Sequence, residues 1–159
     1  LIDLGVSLID SLLWVIDHKP IKSVCATTFN HVTKDSEDVC IANVRFKDSS
    51  VATMEVSWSL FTKNTNFSFN VYGSQGAVKI NPVQSFKSNG EIINPVANDE
   101  NMTNLSVHKK SFESELKHFI NSIAGLVPVI STPNEAVKVM KIIDLMYKSA
   151  ELGKEIEFE

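Results

Sequence analysis

Several things are scarce in this 159-residue sequence, and each scarcity excludes a class. Two cysteines, Cys25 and Cys40, are too few for a disulfide framework. Positive charge is not in excess: 15 Lys+Arg against 19 Asp+Glu leave a net charge of −4 and a pI near 5.6. That balance argues against an electrostatic footprint for nucleic acid or for an anionic membrane surface. No long hydrophobic run exists. The longest uncharged stretch, Phe119 to Asn134, is 16 residues and is broken by Gly125 and Pro128, too short to span a bilayer. No basic segment precedes the apolar start, so a secretory signal is not expected and a cytoplasmic location is. What is present is an ordinary globular mix, 43% hydrophobic and 21% charged, which excludes wholesale disorder. The sequence opens on Leu1 with helix-like apolar spacing at once, so it is expected to be a piece of a longer polypeptide.

The common catalytic and metal patterns are also missing. Gly5-Val6-Ser7 lacks the second glycine of a nucleophile elbow. Gly73-Ser74-Gln75-Gly76 lacks the Lys-Ser/Thr end of a phosphate loop and leads into a strand, so it reads as a hairpin turn. Cys25 and His31 on one extended strand stand about 20 Å apart, at ~3.3 Å per residue, too far for one zinc ion. No metal is expected; the cysteines read as small thiols of the core and His31 as an exposed strand end.

The pattern that remains predicts an α+β fold: a predominantly antiparallel, open-faced sheet with helices packed on one face. Helical spacing covers residues 2–16, through Ile2, Val6, Ile9, Leu13 and Ile16, and Pro20 ends it. Period-two alternation then marks strands at 21–31, 39–47, 51–60 and 66–72, with a short one at 77–81. Val44, Phe46, Met54, Trp58, Phe67 and Phe69 share the greasy face, and Ile41, Asn43, Arg45, Thr53, Glu55 and Ser57 the other. Residues 82–106, rich in Asn, Ser, Gly and Pro, read as a long connection. A helix at 112–124 carries an apolar stripe of Phe112, Leu116, Phe119, Ile120 and Ile123, with Ser111 as cap and Gly125 as stop. Thr132-Pro133-Asn134-Glu135 is a capping box opening a helix at 133–152 that stops at Gly153, and residues 156–158 add an edge strand. Residues 1–159 are expected to be one such domain.

One constellation carries chemistry. Asp3, Ser7 and Asp10 recur at i, i+4, i+7 on one face of the first helix, and Trp14 extends the line. Such a face either lines a cleft, where its carboxylates accept substrate hydroxyls or orient a general base, or is simply solvated.

Read in order, the motifs resemble the C-terminal domain of the glucose–fructose oxidoreductase/inositol dehydrogenase (Gfo/Idh/MocA) family. The stretch Asp3-Leu4-Gly5-Val6-Ser7-Leu8-Ile9-Asp10 is similar to its D-x-G-x-H-x-x-D helix. Glu37-Asp38 resembles its acidic lead-in to the sheet, Ser57-Trp58 its Ser-Trp strand end, and Val71-Tyr72-Gly73-Ser74-Gln75-Gly76 its V-x-G-x-x-G turn. Glu115-Leu116 to Phe119 resembles its E-L-x-x-F helix, and Tyr147-Lys148-Ser149-Ala150-Glu151 to Lys154 its last helix and strand. The resemblance implies a substrate-binding and oligomerisation domain of an NAD(P)-dependent oxidoreductase acting on a sugar, inositol or similar hydroxyl or carbonyl compound. It implies that NAD or NADP is bound by an N-terminal Rossmann domain absent from this chain, which alone is then expected to be inactive. It implies Asp3 as a catalytic residue and Asp3, Ser7 and Asp10 as substrate-binding residues, and a homodimer or higher oligomer through the open sheet face. Ser7 stands where the family has His, and serine has no imidazole to move a proton near neutral pH. A noncatalytic ligand- or partner-binding member of the same fold is therefore the alternative.

Overall fold

The structure is a computed structural model that describes residues 1–59, 67–80, 84–87, 92–95 and 104–158. Its elements form two compact units, Leu1–Phe61 with Ile130–Glu159, and Thr62–Val129. The expected α+β, antiparallel character holds. The strands, however, divide into two four-stranded sheets where the alternation suggested one.

The first unit begins with α1 (Leu4–Val15), then β1 (Ile21–Phe29), β2 (Val39–Phe46) and β3 (Val51–Ser57), and closes with α3 (Pro133–Leu152) and β8 (Ile156–Glu157). Its strand order is β3-β2-β1-β8, antiparallel throughout. In β2 the expected alternation is complete: Cys40, Ala42, Val44 and Phe46 are buried, while Ile41, Asn43 and Arg45 are exposed. Buried Ile9 and Leu13 of α1 and Val139, Ile142, Ile143 and Met146 of α3 join them in a single core with Val24, Ala26 and Met54. The capping box is present: Thr132 Oγ1 accepts from Glu135 N at 3.3 Å and the Glu135 carboxylate accepts from Thr132 N at 2.6 Å. Gly153 ends α3 at φ 63°, a left-handed conformation that glycine adopts without strain.

Two polar side chains stitch this unit. Fully buried Ser149 accepts from Ala26 N at 2.9 Å and donates to Lys154 O at 2.6 Å, so α3 satisfies a β1 amide beyond the reach of the short β8. Buried Asp38 closes the loop between β1 and β2 by accepting from Val32 N and Thr33 N, and the Val32 bond foremost holds its carboxyl below the usual range.

The second unit holds β4 (Phe69–Gly73), β5 (Gly76–Ile80), β6 (Gln84–Lys87) and β7 (Ile92–Pro95) in that spatial order, followed by α2 (Asn104–Ile123). Gly73 pairs with Gly76, so the segment between them is the expected hairpin. Glycine is required there because a Cβ on Gly76 would lie 2.3 Å from Phe86 O.

Four expectations need correction. Residues 82–106 are not one long connection, since β6, β7 and the start of α2 lie within them; four-residue strands are too short to show a period. Ser111 is not a cap, because α2 begins seven residues earlier. The stripe from Phe112 to Ile123 is not buried: its five apolar residues are 56–72% exposed. Trp58, placed on the greasy face, is 61% exposed beyond the end of β3, and Phe67 precedes a strand of the other sheet. Leu60, Asn66 and Asn81, ends assigned to three strands, lie outside the described residues.

Candidate functional site

The first helix presents the expected face. Asp3, Ser7, Asp10 and Trp14 are all exposed on α1, opposite the buried Gly5, Ile9 and Leu13. Asp3 sits at the N-cap position but makes no capping bond, so its carboxylate is not spent on the helix. The helix starts here because Gly5 N bonds Leu1 O at 2.8 Å. Glycine at position 5 lets the turn sit close to the sheet: a Cβ there would lie 2.7 Å from Leu1 Cδ1 and 3.6 Å from Met54 Cε. Ser7 stands one turn further along, and its carbonyl accepts from Ser11 Oγ at 2.7 Å.

Asp10 does not share their immediate surroundings. At 1.5 Å rise per residue it is about 10 Å from Asp3 along the axis. It lines a cleft of about 160 Å3 with Trp14, His18, Thr132 and Glu135. There His18 Nε2 lies 3.2 Å from Glu135 Oε1, and His18 Nδ1 is buried without a partner among the described residues. Asp17 and His18 end α1 in the left-handed region, at φ 54° and 48°. Such backbone costs ~1–3 kcal/mol and persists only where its neighbours enforce it. Here His18 N bonds Leu13 O, and Lys138 Nζ bonds His18 O, both at 2.8 Å. Burial lowers the pKa of that ammonium.

Sequence reasoning missed the groups beneath the start of α1. Glu37 Oε1 accepts from the Tyr147 hydroxyl, and that hydroxyl in turn accepts from Ile2 N at 3.2 Å; the same oxygen lies 2.6 Å from Leu1 N, the free ammonium at the first residue of the sequence. Burial alone would raise the Glu37 carboxyl, but the Leu1 ammonium foremost, then the Tyr147 hydroxyl, leave it lowered. Burial, then the bond to Glu37, pushes Tyr147 up to about 12. Both residues lay in motifs that carried the resemblance, which was the only signal for them.

Cys25 pairs with Asn43 on the outward face, whereas Cys40 is sealed in the core, so the two thiols lie on opposite faces of the sheet. Arg45 Nε lies 3.2 Å from Glu155 Oε1. Among the described residues, no helix is long and apolar enough to cross a membrane.

Residues 1–158 match the family model described as "Oxidoreductase family, C-terminal alpha/beta domain" (Gfo/Idh/MocA). A D-glucoside 3-dehydrogenase of Escherichia coli (strain K12) is 23% identical, over 99% of this chain and 48% of its own length. Among solved structures, levoglucosan dehydrogenase in complex with NADH and L-sorbose superposes with a TM-score of 0.81 at 14% identity, over 99% of this chain and 49% of that one. The WlbA dehydrogenase of Bordetella pertussis, in complex with NADH and UDP-GlcNAcA, gives 0.73 at 18% identity, over 98% and 46%. At these identities the structural likeness shows the fold. The chain spans about half the length of the relatives it matches.

Proposed function

Because the chain belongs to the Gfo/Idh/MocA oxidoreductase family, as its C-terminal alpha/beta domain, we propose that it is the substrate-side half of an NAD(P)-dependent oxidoreductase. The substrate is a sugar, inositol or similar compound on which a hydroxyl and a carbonyl interconvert. The observation that carries this reading is the uncommitted Asp3 carboxylate at the head of α1, one turn from the Ser7 hydroxyl on the same exposed face. Asp3 accepts the hydrogen bond of the reacting hydroxyl and assists its proton transfer. Ser7 donates to or accepts from a neighbouring hydroxyl and so orients the ring. Asp10, two turns further along, meets only an outlying substituent. Among the described residues, the glycine turn at Gly73 and Gly76 does not fit a dinucleotide pyrophosphate, because it closes a strand hairpin with no helix N-terminus behind it. NAD(P) is therefore assigned to the other half of the polypeptide.

Kinetics of the intact polypeptide with NAD or NADP, on methyl β-D-glucoside, levoglucosan and myo-inositol, test the reading. Asp3→Asn is expected to lower kcat/KM by at least about a hundredfold, and Ser7→Ala by less than about tenfold, because a hydroxyl that only positions is worth less. A second reading, a ligand- or partner-binding member without turnover, is favoured by Ser7 at the position where the family has a proton-transferring His. Binding of these compounds without any NAD(P)H change would select it.

The outward face of β1–β3 supports a homodimer. It carries Ile41 and Val51, 47% and 54% exposed, among the uncharged Thr27, Asn43 and Thr53. A twofold contact between such faces is self-complementary, residue i meeting j as j meets i, with few charged groups to oppose one another.

A further inference from the structure

We propose that Tyr147 and Glu37 are positioning residues that set the backbone from which Asp3 projects, an inference that rests on the catalytic reading of Asp3. Three elements distant in sequence converge at this point: the head of α1, the loop leading into β2, and the middle of α3. Glu37 Oε1 accepts from the Tyr147 hydroxyl, and that hydroxyl accepts from Ile2 N. The backbone nitrogen immediately before Asp3 is thus tied through one ring to that carboxylate. The neighbouring turn is fixed independently, by the Gly5 N to Leu1 O bond and by the Leu1 side chain, 4% exposed against the core. Asp3 itself makes no capping bond that would hold its backbone. Its placement therefore comes from that turn together with the clamp behind it. A reacting group displaced by about 1 Å loses on the order of a hundredfold in rate, so such a clamp matters to turnover more than to folding.

The Tyr147 ring supplies a rigid spacer between α3 and α1, and the Glu37 oxygen orients its hydroxyl. Glu37→Gln keeps an acceptor oxygen in place and is expected to retain most of the effect; Glu37→Ala removes it. Tyr147→Phe keeps the ring and deletes only the hydroxyl.

Two readouts on the intact polypeptide test this. The first needs no substrate: in Tyr147→Phe the amides of Ile2 to Gly5 exchange with deuterium about tenfold faster, while the melting temperature falls by no more than about 4 °C. The second uses methyl β-D-glucoside as the probe: kcat falls about ten- to a hundredfold in Tyr147→Phe and Glu37→Ala with KM little changed, and Glu37→Gln recovers most of it. Unchanged exchange at Ile2, or a kcat within twofold of the parent while Asp3→Asn abolishes turnover, overturns the positioning role. So does a general loss of stability that lowers kcat and melting temperature together in all three variants. If Asp3→Asn leaves turnover intact although Tyr147→Phe frees the Ile2 amide, the catalytic reading of Asp3 fails and takes the positioning role with it.

Discussion

Tyr147 keeps its proton more tightly in the folded chain than in the unfolded one, since its pKa is pushed up to about 12 from an ordinary value near 10. The sign follows directly: the folded state binds the extra proton, so this stabilisation is whole below pH ~10 and is lost as pH rises from 10 towards 12. Unfolding followed by circular dichroism across that range should show an alkaline fall in stability that Tyr147→Phe lacks; an identical fall in the variant would refute it. Residues of this kind are the least legible in a sequence. Asp3, Ser7 and Asp10 could be placed on one face because helical spacing is local. The Tyr147–Glu37 pair spans 110 residues, and no period of 2 or 3.6 connects them. Likewise, spacing put Asp10 on the same face as Asp3 but could not show that α3 builds a separate cleft around it.

Elements whose signals are local and mutually consistent were the legible ones. The start of α3 combined a cap, a proline at the first position and a returning glutamate, and all three are realised. Thr132→Ala should accordingly cost about 1 kcal/mol, read as a shift in the urea midpoint without a change in slope; a shift indistinguishable from zero would mean that the Glu135 carboxylate alone caps the helix. The alternation of β2 likewise gave its faces correctly, because side-chain period in a strand is fixed by the pleat. Alternation does not say which strand pairs with which, so the division into two sheets was invisible. Nor does it survive in strands of four residues such as β6 and β7. In α2 the apolar spacing did give a helix, but spacing shows a face and not whether anything covers it.

For the whole molecule, the proposed assembly turns on the outward face of the first sheet. Thr53 pairs with Asn43 and shares that face, so Thr53→Lys would place a cation from each copy inside the contact, where it loses water. Light scattering at micromolar concentration should find a dimer in the parent chain and a monomer in the variant; a monomeric parent, or a dimer indifferent to the change, would end the proposal. The same sheet separates its two thiols into different chemical worlds. Cys40 is shut inside, with burial pushing its thiol up, and has no route to an alkylating reagent. Cys25 stands on the face that a partner copy would close. The native chain thereby carries its own footprinting probe: iodoacetamide should label Cys25 and spare Cys40, and the labelling rate should fall as protein concentration rises. A rate independent of concentration would show that face left open to water.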